Sequence, residues 1–192
     1  MESSKRMGGL AVKPGAWTAG SPQSTLEFSL RHLVLSQIRG RAARWEAIIV
    51  ADFDEPERSS VEVVVDAASI ETGDEERDRH IRSGEFLDVR AYPTIRFVSR
   101  TVRPDAQHQR FAVTGDLTIR AVTREITIDI HRPGPSSSSD APKVLELAGR
   151  VTIDRQLFGL RWNQDLDTGG VVVGDKIEID LRIEARPGAS VS

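Results

Sequence analysis

The residues most suggestive of chemistry in this chain lie in one short charged segment, where Arg77, Asp78 and His80 come close together. An arginine side chain can bind a phosphate group through two parallel hydrogen bonds, so these residues could bind an anionic head group. They could instead brace the segment through ion pairs, with Asp154 or Arg155 as candidate partners. Because opposite charges are dense here, we favour internal pairing.

A second candidate is His32, which has the same strand phase as Leu26, Phe28 and Leu30 and is therefore predicted to point inward. It could contact the polar end of a ligand or act as an acid or base. It could also be a buried histidine that is hydrogen-bonded to backbone, since most buried polar groups have such partners.

Familiar catalytic and metal-binding patterns are missing from the sequence. There is no Gly-x-Ser-x-Gly turn for a serine nucleophile, and no His-x-His or His-Glu-x-x-His spacing for a metal ion. With no cysteine, thiol catalysis and thiolate metal sites are excluded. We therefore predict no catalytic residue, no metal site and a protein that is not an enzyme.

The elements that must position these residues are mainly β-strands, because apolar and polar residues alternate over long runs. Gly40 and Gly115 interrupt two of these runs, and each predicts a bulge or bend. The predicted strands are Trp17–Ala19, Thr25–Leu33, Ile38–Ile49, Val61–Ala67, Thr94–Val102, Arg110–Thr118, Arg124–Ile130, Leu145–Ile153 and Lys176–Ala185.

Such strands, joined by short connections, indicate an all-β fold. Long strands with one apolar face favour an extended eight-stranded antiparallel barrel, because closure removes exposed edges. Their aliphatic side chains could leave a narrow apolar tunnel or could fill the interior. After the third long strand we expect a short helical cover. Thr72 and Glu75 have the spacing of a capping box, and a second turn begins at Ser83.

Length and charge restrict the classes of protein further. The 192 residues fit one domain, which we place at 14–186, between a disordered N-terminus at 1–13 and a tail at 187–192. The net charge of -3 argues against a nucleic-acid partner. No apolar run is long enough to span a membrane, and we identify no secretory signal, so we expect a cytoplasmic protein.

The chain resembles the YceI family of polyisoprenoid-binding, lipocalin-like proteins from Trp17 to about Glu184. The resemblance rests on the order and spacing of several motifs. The motifs are Ser29–Val34 with Ile38–Gly40, Val65–Gly73, Arg77–Ser83, Phe86–Asp88, Tyr92–Phe97, Gly115–Ile119, Val122–Arg124, and Asp154–Arg155 with Phe158–Leu160. The resemblance implies a barrel around a long apolar tunnel for an isoprenoid chain, such as a polyprenyl quinone or polyprenyl phosphate. Two departures are Ala121, where the family usually has glycine, and the missing signal peptide.

From strand phase, one set of apolar residues should line this tunnel. It consists of Phe28, Leu30, Ile95, Phe97, Leu117, Ile119, Ile128, Ile179 and Leu181. Phe158, Leu160 and Trp162 would form its rim or plug, or would close the bottom of the barrel as ordinary core. His32 or Arg77 would contact the polar end of the ligand.

We predict a binding or carrier protein that needs no cofactor, although a polyprenyl quinone or other isoprenoid lipid could be bound. The alternatives are an enzyme that acts on a lipid-like substrate with His32 as acid or base, and a filled barrel that serves as an interaction scaffold. A homodimer is plausible through the outward-facing Val64 and Val98.

Overall fold

Strands make up most of the computed structural model, which describes residues 6–7, 10–11, 16–32, 36–133, 144–162 and 173–188. The strands are β1 Arg6–Met7, β2 Leu10–Ala11, β3 Trp17–Gly20, β4 Thr25–His32, β5 Ser36–Ala42, β6 Trp45–Val50, β7 Ser60–Asp66, β8 Ile70–Glu71, β9 Thr94–Pro104, β10 Arg110–Ile119, β11 Val122–His131, β12 Leu145–Asp154 and β13 Val173–Pro187. The helix α1 is Glu75–Arg82, and 3-10 turns occupy Pro56–Arg58, Ala67–Ser69 and Arg155–Phe158.

The large sheet closes on itself as an antiparallel barrel. It has 11 strand segments, but β3 and β4, β5 and β6, and β7 and β8 each follow one another along one position of the ring, which leaves 11 − 3 = 8 positions. Strand β13 closes the ring, because it pairs along its length with β12 and on its other edge with β4 and β3. The predicted eight-stranded barrel with a short helical cover is therefore confirmed.

The bulge predicted at Gly115 is confirmed. The register between β9 and β10 shifts there, since Thr114 pairs with Thr101 whereas Gly115 pairs with Ser99. A Cβ atom on Gly115 would lie 2.3 Å from the carbonyl oxygen of Val98 and 2.8 Å from Cζ of Phe97. Glycine thus allows both the close approach of the two strands and the position of the Phe97 ring.

The bend predicted at Gly40 is wrong. Gly40 pairs in regular register with Phe28, and the break between β5 and β6 falls after Ala42. A Cβ atom at Gly40 would lie 2.4 Å from Cζ of Phe28, so this glycine makes room for an aromatic ring rather than for a turn. At the break itself, the hydroxyl of Ser69 accepts a hydrogen bond from the backbone N–H of Arg44 at 3.0 Å.

The helix of the cover has a different N-terminal cap from the one predicted. Asp74, not Thr72, is the N-cap of α1, and its carboxylate accepts a hydrogen bond from the backbone N–H of Arg77 at 3.0 Å. That hydrogen bond is the main reason why the pKa of Asp74 is lowered. The predicted capping box is therefore wrong. The turn after Ser83 forms as expected and carries Leu87 inward, where it is 5% exposed.

The ends of the chain add little to the barrel. Strands β1 and β2 pair with each other as a separate two-stranded sheet. The division into 1–13, 14–186 and 187–192 stays a prediction, because many residues of both ends lie outside the described ranges. Among the described residues, no helix has the length and apolar character needed to cross a membrane.

Candidate functional site

The interior of the barrel contains an apolar cavity of about 230 Å³, here called the first chamber. All nine residues predicted from strand phase lie around it: Phe28, Leu30, Ile95, Phe97, Leu117, Ile119, Ile128, Ile179 and Leu181. Arg77 and Trp162 also line it, whereas Phe158 does not and packs into the surrounding core. Ligand contact by these residues stays a prediction.

Some lining residues were not predicted, for two different reasons. Leu26, Ile126, Ile153 and Ile177 have the same strand phase as the predicted residues and could have been found in the same way. The residues that the cover contributes have no strand phase to indicate their direction. They are His80, Ile81, Phe86 and Leu87.

The cover is held together by its own hydrogen bonds. The guanidinium of Arg77 donates from Nε to Oγ1 of Thr72 at 2.7 Å and from Nη2 to the carbonyl of Thr72 at 3.2 Å. The carboxylate of Asp78 accepts from the backbone N–H of Thr72 at 2.9 Å and from its hydroxyl at 2.6 Å. Arg77 and Asp78 therefore brace the segment, but the expected partners Asp154 and Arg155 are wrong.

Arg155 instead lies completely buried at the end of the first chamber. Its guanidinium donates to the carbonyls of Leu160 at 2.5 Å, Trp162 at 2.8 Å and Gly174 at 2.9 Å. It also donates to the carbonyl of Val173 and to the carboxylate of Asp175, both at 3.1 Å.

These five hydrogen bonds use the whole donor capacity of the arginine side chain. Burial lowers the pKa of Arg155, an effect that the nearby Asp175 and Asp154 oppose. Arg155 thus ties the segment after β12 to the start of β13, and it has no N–H left for a ligand.

The segment that Arg155 holds closes a gap in the barrel wall. Strands β11 and β12 pair over a short stretch, from Asp129–Arg150 to His131–Ala148. Beyond this stretch, Phe158 and Leu160 are 1% and 2% exposed and pack into the core cluster around the chamber. Trp162 lies against His80, with ring centroids 4.4 Å apart. We call the segment 155–162 the plug because it fills this part of the wall, and the predicted role of Phe158 and Trp162 at the rim or plug of a ligand tunnel stays a prediction.

A second apolar cavity, of about 140 Å³, adjoins the first and is here called the second chamber. Phe111, Val113 and Leu147 are among its apolar walls. Its lining also includes the polar side chains Asp52, Ser59, Ser60, His108 and Arg132, whereas the first chamber has Arg77, His80 and Arg155.

Comparison with known proteins places this barrel in a family. A family model of the YceI-like domain matches residues 17–185. The chain belongs to the YceI-like family. A UPF0312 protein of Staphylococcus aureus (strain USA300) is 31% identical over 177 residues, which cover 92% of this chain and 98% of the relative.

Solved structures show the same YceI-like fold. BcnA of Burkholderia cenocepacia superposes with a TM-score of 0.71 at 20% identity, over 84% of this chain and 96% of that one. A YceI protein of Campylobacter jejuni gives 0.69 at 23% identity, over 83% and 91%. A polyisoprenoid binding domain from Saccharophagus degradans gives 0.65 at 13% identity, over 92% and 100%. At these identities the likeness shows the fold.

The departure at Ala121 from the usual YceI-like glycine has a simple structural basis. Arg120 and Ala121 connect β10 to β11 in a two-residue turn between the paired Ile119 and Val122. Of these two residues, Arg120 has the left-handed backbone conformation, with φ of 55°. Position 121 therefore makes no special demand for glycine in this chain.

Three other predicted features concern His32, metal binding and the outward-facing Val64. His32 ends β4, but its side chain lies outside the described part of the structure. Among the described residues, no group of histidine, aspartate and glutamate side chains is arranged to hold a metal ion. Val64 is half-buried in a small cluster with Ala16 and Ile48 on the outside of the barrel, and the predicted dimer stays a prediction.

Proposed function

We propose that this YceI-like barrel binds a long isoprenoid chain, as a polyprenyl quinone or polyprenyl phosphate, and carries it without transforming it. The observation behind this proposal is the pair of adjoining apolar chambers inside the barrel. The name of the structural neighbour from Saccharophagus degradans, a polyisoprenoid binding domain, supports the choice of ligand. The filled-barrel scaffold required an interior without voids, and the two chambers contradict it.

The dimensions of the chambers suit a chain rather than a compact molecule. Ile119 lines the first chamber and Phe111 the second, and these residues are eight positions apart on β10. At about 3.4 Å per residue this distance is roughly 27 Å along the strand. With a strand tilt of about 40°, the length along the barrel axis is roughly 20 Å. Each enclosed methylene would contribute about 0.8 kcal/mol, so a long chain could bind with few polar contacts.

The distribution of polar groups suggests how such a ligand would lie. In the first chamber, the guanidinium groups of Arg77 and Arg155 already donate to the protein's own oxygens. The second chamber offers Asp52, His108 and Arg132 among its lining residues. We place the apolar tail in the first chamber and the polar end of the ligand in the second, rather than at Arg77 as the sequence suggested.

Native mass spectrometry with solvent extraction tests the proposal. Protein purified from a bacterial host should carry a prenyl lipid or take one up when it is added. Ile179→Trp, which places a large ring in the first chamber, should abolish uptake, whereas Leu157→Trp at a 56% exposed site should leave it unchanged. A bare chain mass before and after addition of lipid, or equal uptake by Ile179→Trp and wild type, would refute the proposal.

A further inference from the structure

The two chambers meet at four side chains that line both of them. These are Val63, Phe97, Ile128 and Leu181, here called the waist. They come from β7, β9, β11 and β13. Val63 and Phe97 are paired across the neighbouring strands β7 and β9, whereas β11 and β13 are adjacent neither to these strands nor to each other. Phe97 and Ile128 are 5% and 9% exposed, so they are packed as core residues and yet separate two voids.

The bulge at Gly115 fixes the largest group of the waist. The ring of Phe97 lies so close to Gly115 that a Cβ atom there would be 2.8 Å from its Cζ atom. The ring therefore rests against the wall that β10 provides. Because the Phe97 ring is held there, a rotamer change of Leu181 would widen or narrow the passage between the chambers.

We infer that the waist selects ligands by chain length. This inference rests on the proposed function. A short isoprenoid fits within one chamber and leaves the waist packed. A longer chain must displace the waist side chains, which costs free energy. Its additional methylenes then enter the other chamber and offset this cost. Each methylene that is fully enclosed raises the affinity about fourfold.

Binding measurements on two isoprenoid alcohols test this selection, with geraniol as the short chain and geranylgeraniol as the chain of twice its length. Wild-type protein should bind geranylgeraniol at least about tenfold more tightly than geraniol. Leu181→Phe narrows the waist, so the ratio should fall below about threefold. The ratio is compared within one variant, so a general loss of stability does not change it.

Leu30→Phe is the matched control, because it adds the same bulk to the first chamber away from the waist. It should weaken both alcohols by similar factors and keep their ratio. If Leu181→Phe does not fold, Val63→Leu narrows the same waist by less volume and should lower the ratio in the same direction.

An unchanged ratio in a folded waist variant would overturn the inference, and equal loss of both alcohols in Leu181→Phe is such a result. If wild-type protein bound neither alcohol nor any longer prenyl lipid, the proposed function itself would fail, and the inference with it. If both bound with equal affinity, only the selection by length would fail.

Discussion

Replacement of Arg155 by methionine should destabilise the protein far more than the loss of an ordinary arginine. Methionine can fill the space of the aliphatic stem, but it donates no hydrogen bond. The carbonyls of Leu160, Trp162, Val173 and Gly174 would all lose the guanidinium that now binds them. The plug would then lose its connection to β13.

The size of the effect follows from the burial of these carbonyls. The hydrogen bonds to Leu160 and Val173 are fully buried, so water cannot replace the guanidinium there. A buried acceptor that loses a hydrogen-bond donor, with no water to replace it, costs about 1–3 kcal/mol. The other carbonyls are partly accessible to water and should cost less. We expect a loss of about 4 kcal/mol, within the range of about 3–5 kcal/mol for breaking a buried charged network.

Urea unfolding monitored by circular dichroism measures this loss. With a slope of about 2 kcal/mol per molar urea, the midpoint should fall by roughly 2 M. Arg150→Met is the matched control, because Arg150 lies on β12 with a 70% exposed side chain paired with Asp180. This exposed pair should be worth less than about 1 kcal/mol. Equal midpoints for the two variants would refute the role assigned to Arg155.

Three other substitutions give separate tests. Phe158→Ala should cost about 3–5 kcal/mol of unfolding free energy, because the ring is 1% exposed, whereas Leu157→Ala, at 56% exposure, should change it by less than about 0.5 kcal/mol. A hydrogen bond from Lys176 and one from the backbone N–H of Gln156 lower the pKa of Asp154. The ionised Asp154 should therefore stabilise the folded protein above about pH 4, and this contribution should be lost as pH falls through the lowered pKa. Asp154→Asn should accordingly be less stable than wild type near neutral pH and about equally stable in acid. His32→Ala should leave lipid affinity within about threefold in a carrier; ligand turnover that wild type shows and this variant lacks would support the enzyme instead.

The barrel could be predicted from sequence because alternation determines it locally. In β12, the alternating residues from Leu145 to Ile153 fix both the strand and its inward face. The same alternation identified nine residues around the first chamber, since each strand of a closed barrel has one face toward the interior and one toward the exterior. The bulge at Gly115 was also predictable, because glycine in a strand is costly unless it meets a local need.

The plug and the cover could not be predicted in the same way. The partners of Arg155 are mostly backbone carbonyls, up to 19 residues away, and every sequence has carbonyls there. Similarly, Asp74 competed with Thr72 for the N-cap, and both residue types are good caps. In the structure the hydroxyl of Thr72 donates to Asp78 and accepts from Nε of Arg77, so it is used within the cover and does not cap α1.

The two-chamber division also has no signature along the chain. Val63, Phe97, Ile128 and Leu181 are ordinary inward residues of their strands. They meet because of the register between four strands, which depends on long-range pairing and on the bulge at Gly115. Residue types along the chain predict an apolar interior. The pairing register of the strands determines which parts of that interior are filled by side chains.

The central claim is that an isoprenoid chain lies inside the barrel, and anomalous diffraction from a bromine-labelled chain tests it most directly. Crystals of the protein saturated with an isoprenoid alcohol brominated at the end of its tail should give a bromine peak in the first chamber, near Ile119 and Leu117. Peaks confined to the outer surface of the barrel, with both chambers empty, would contradict the claim.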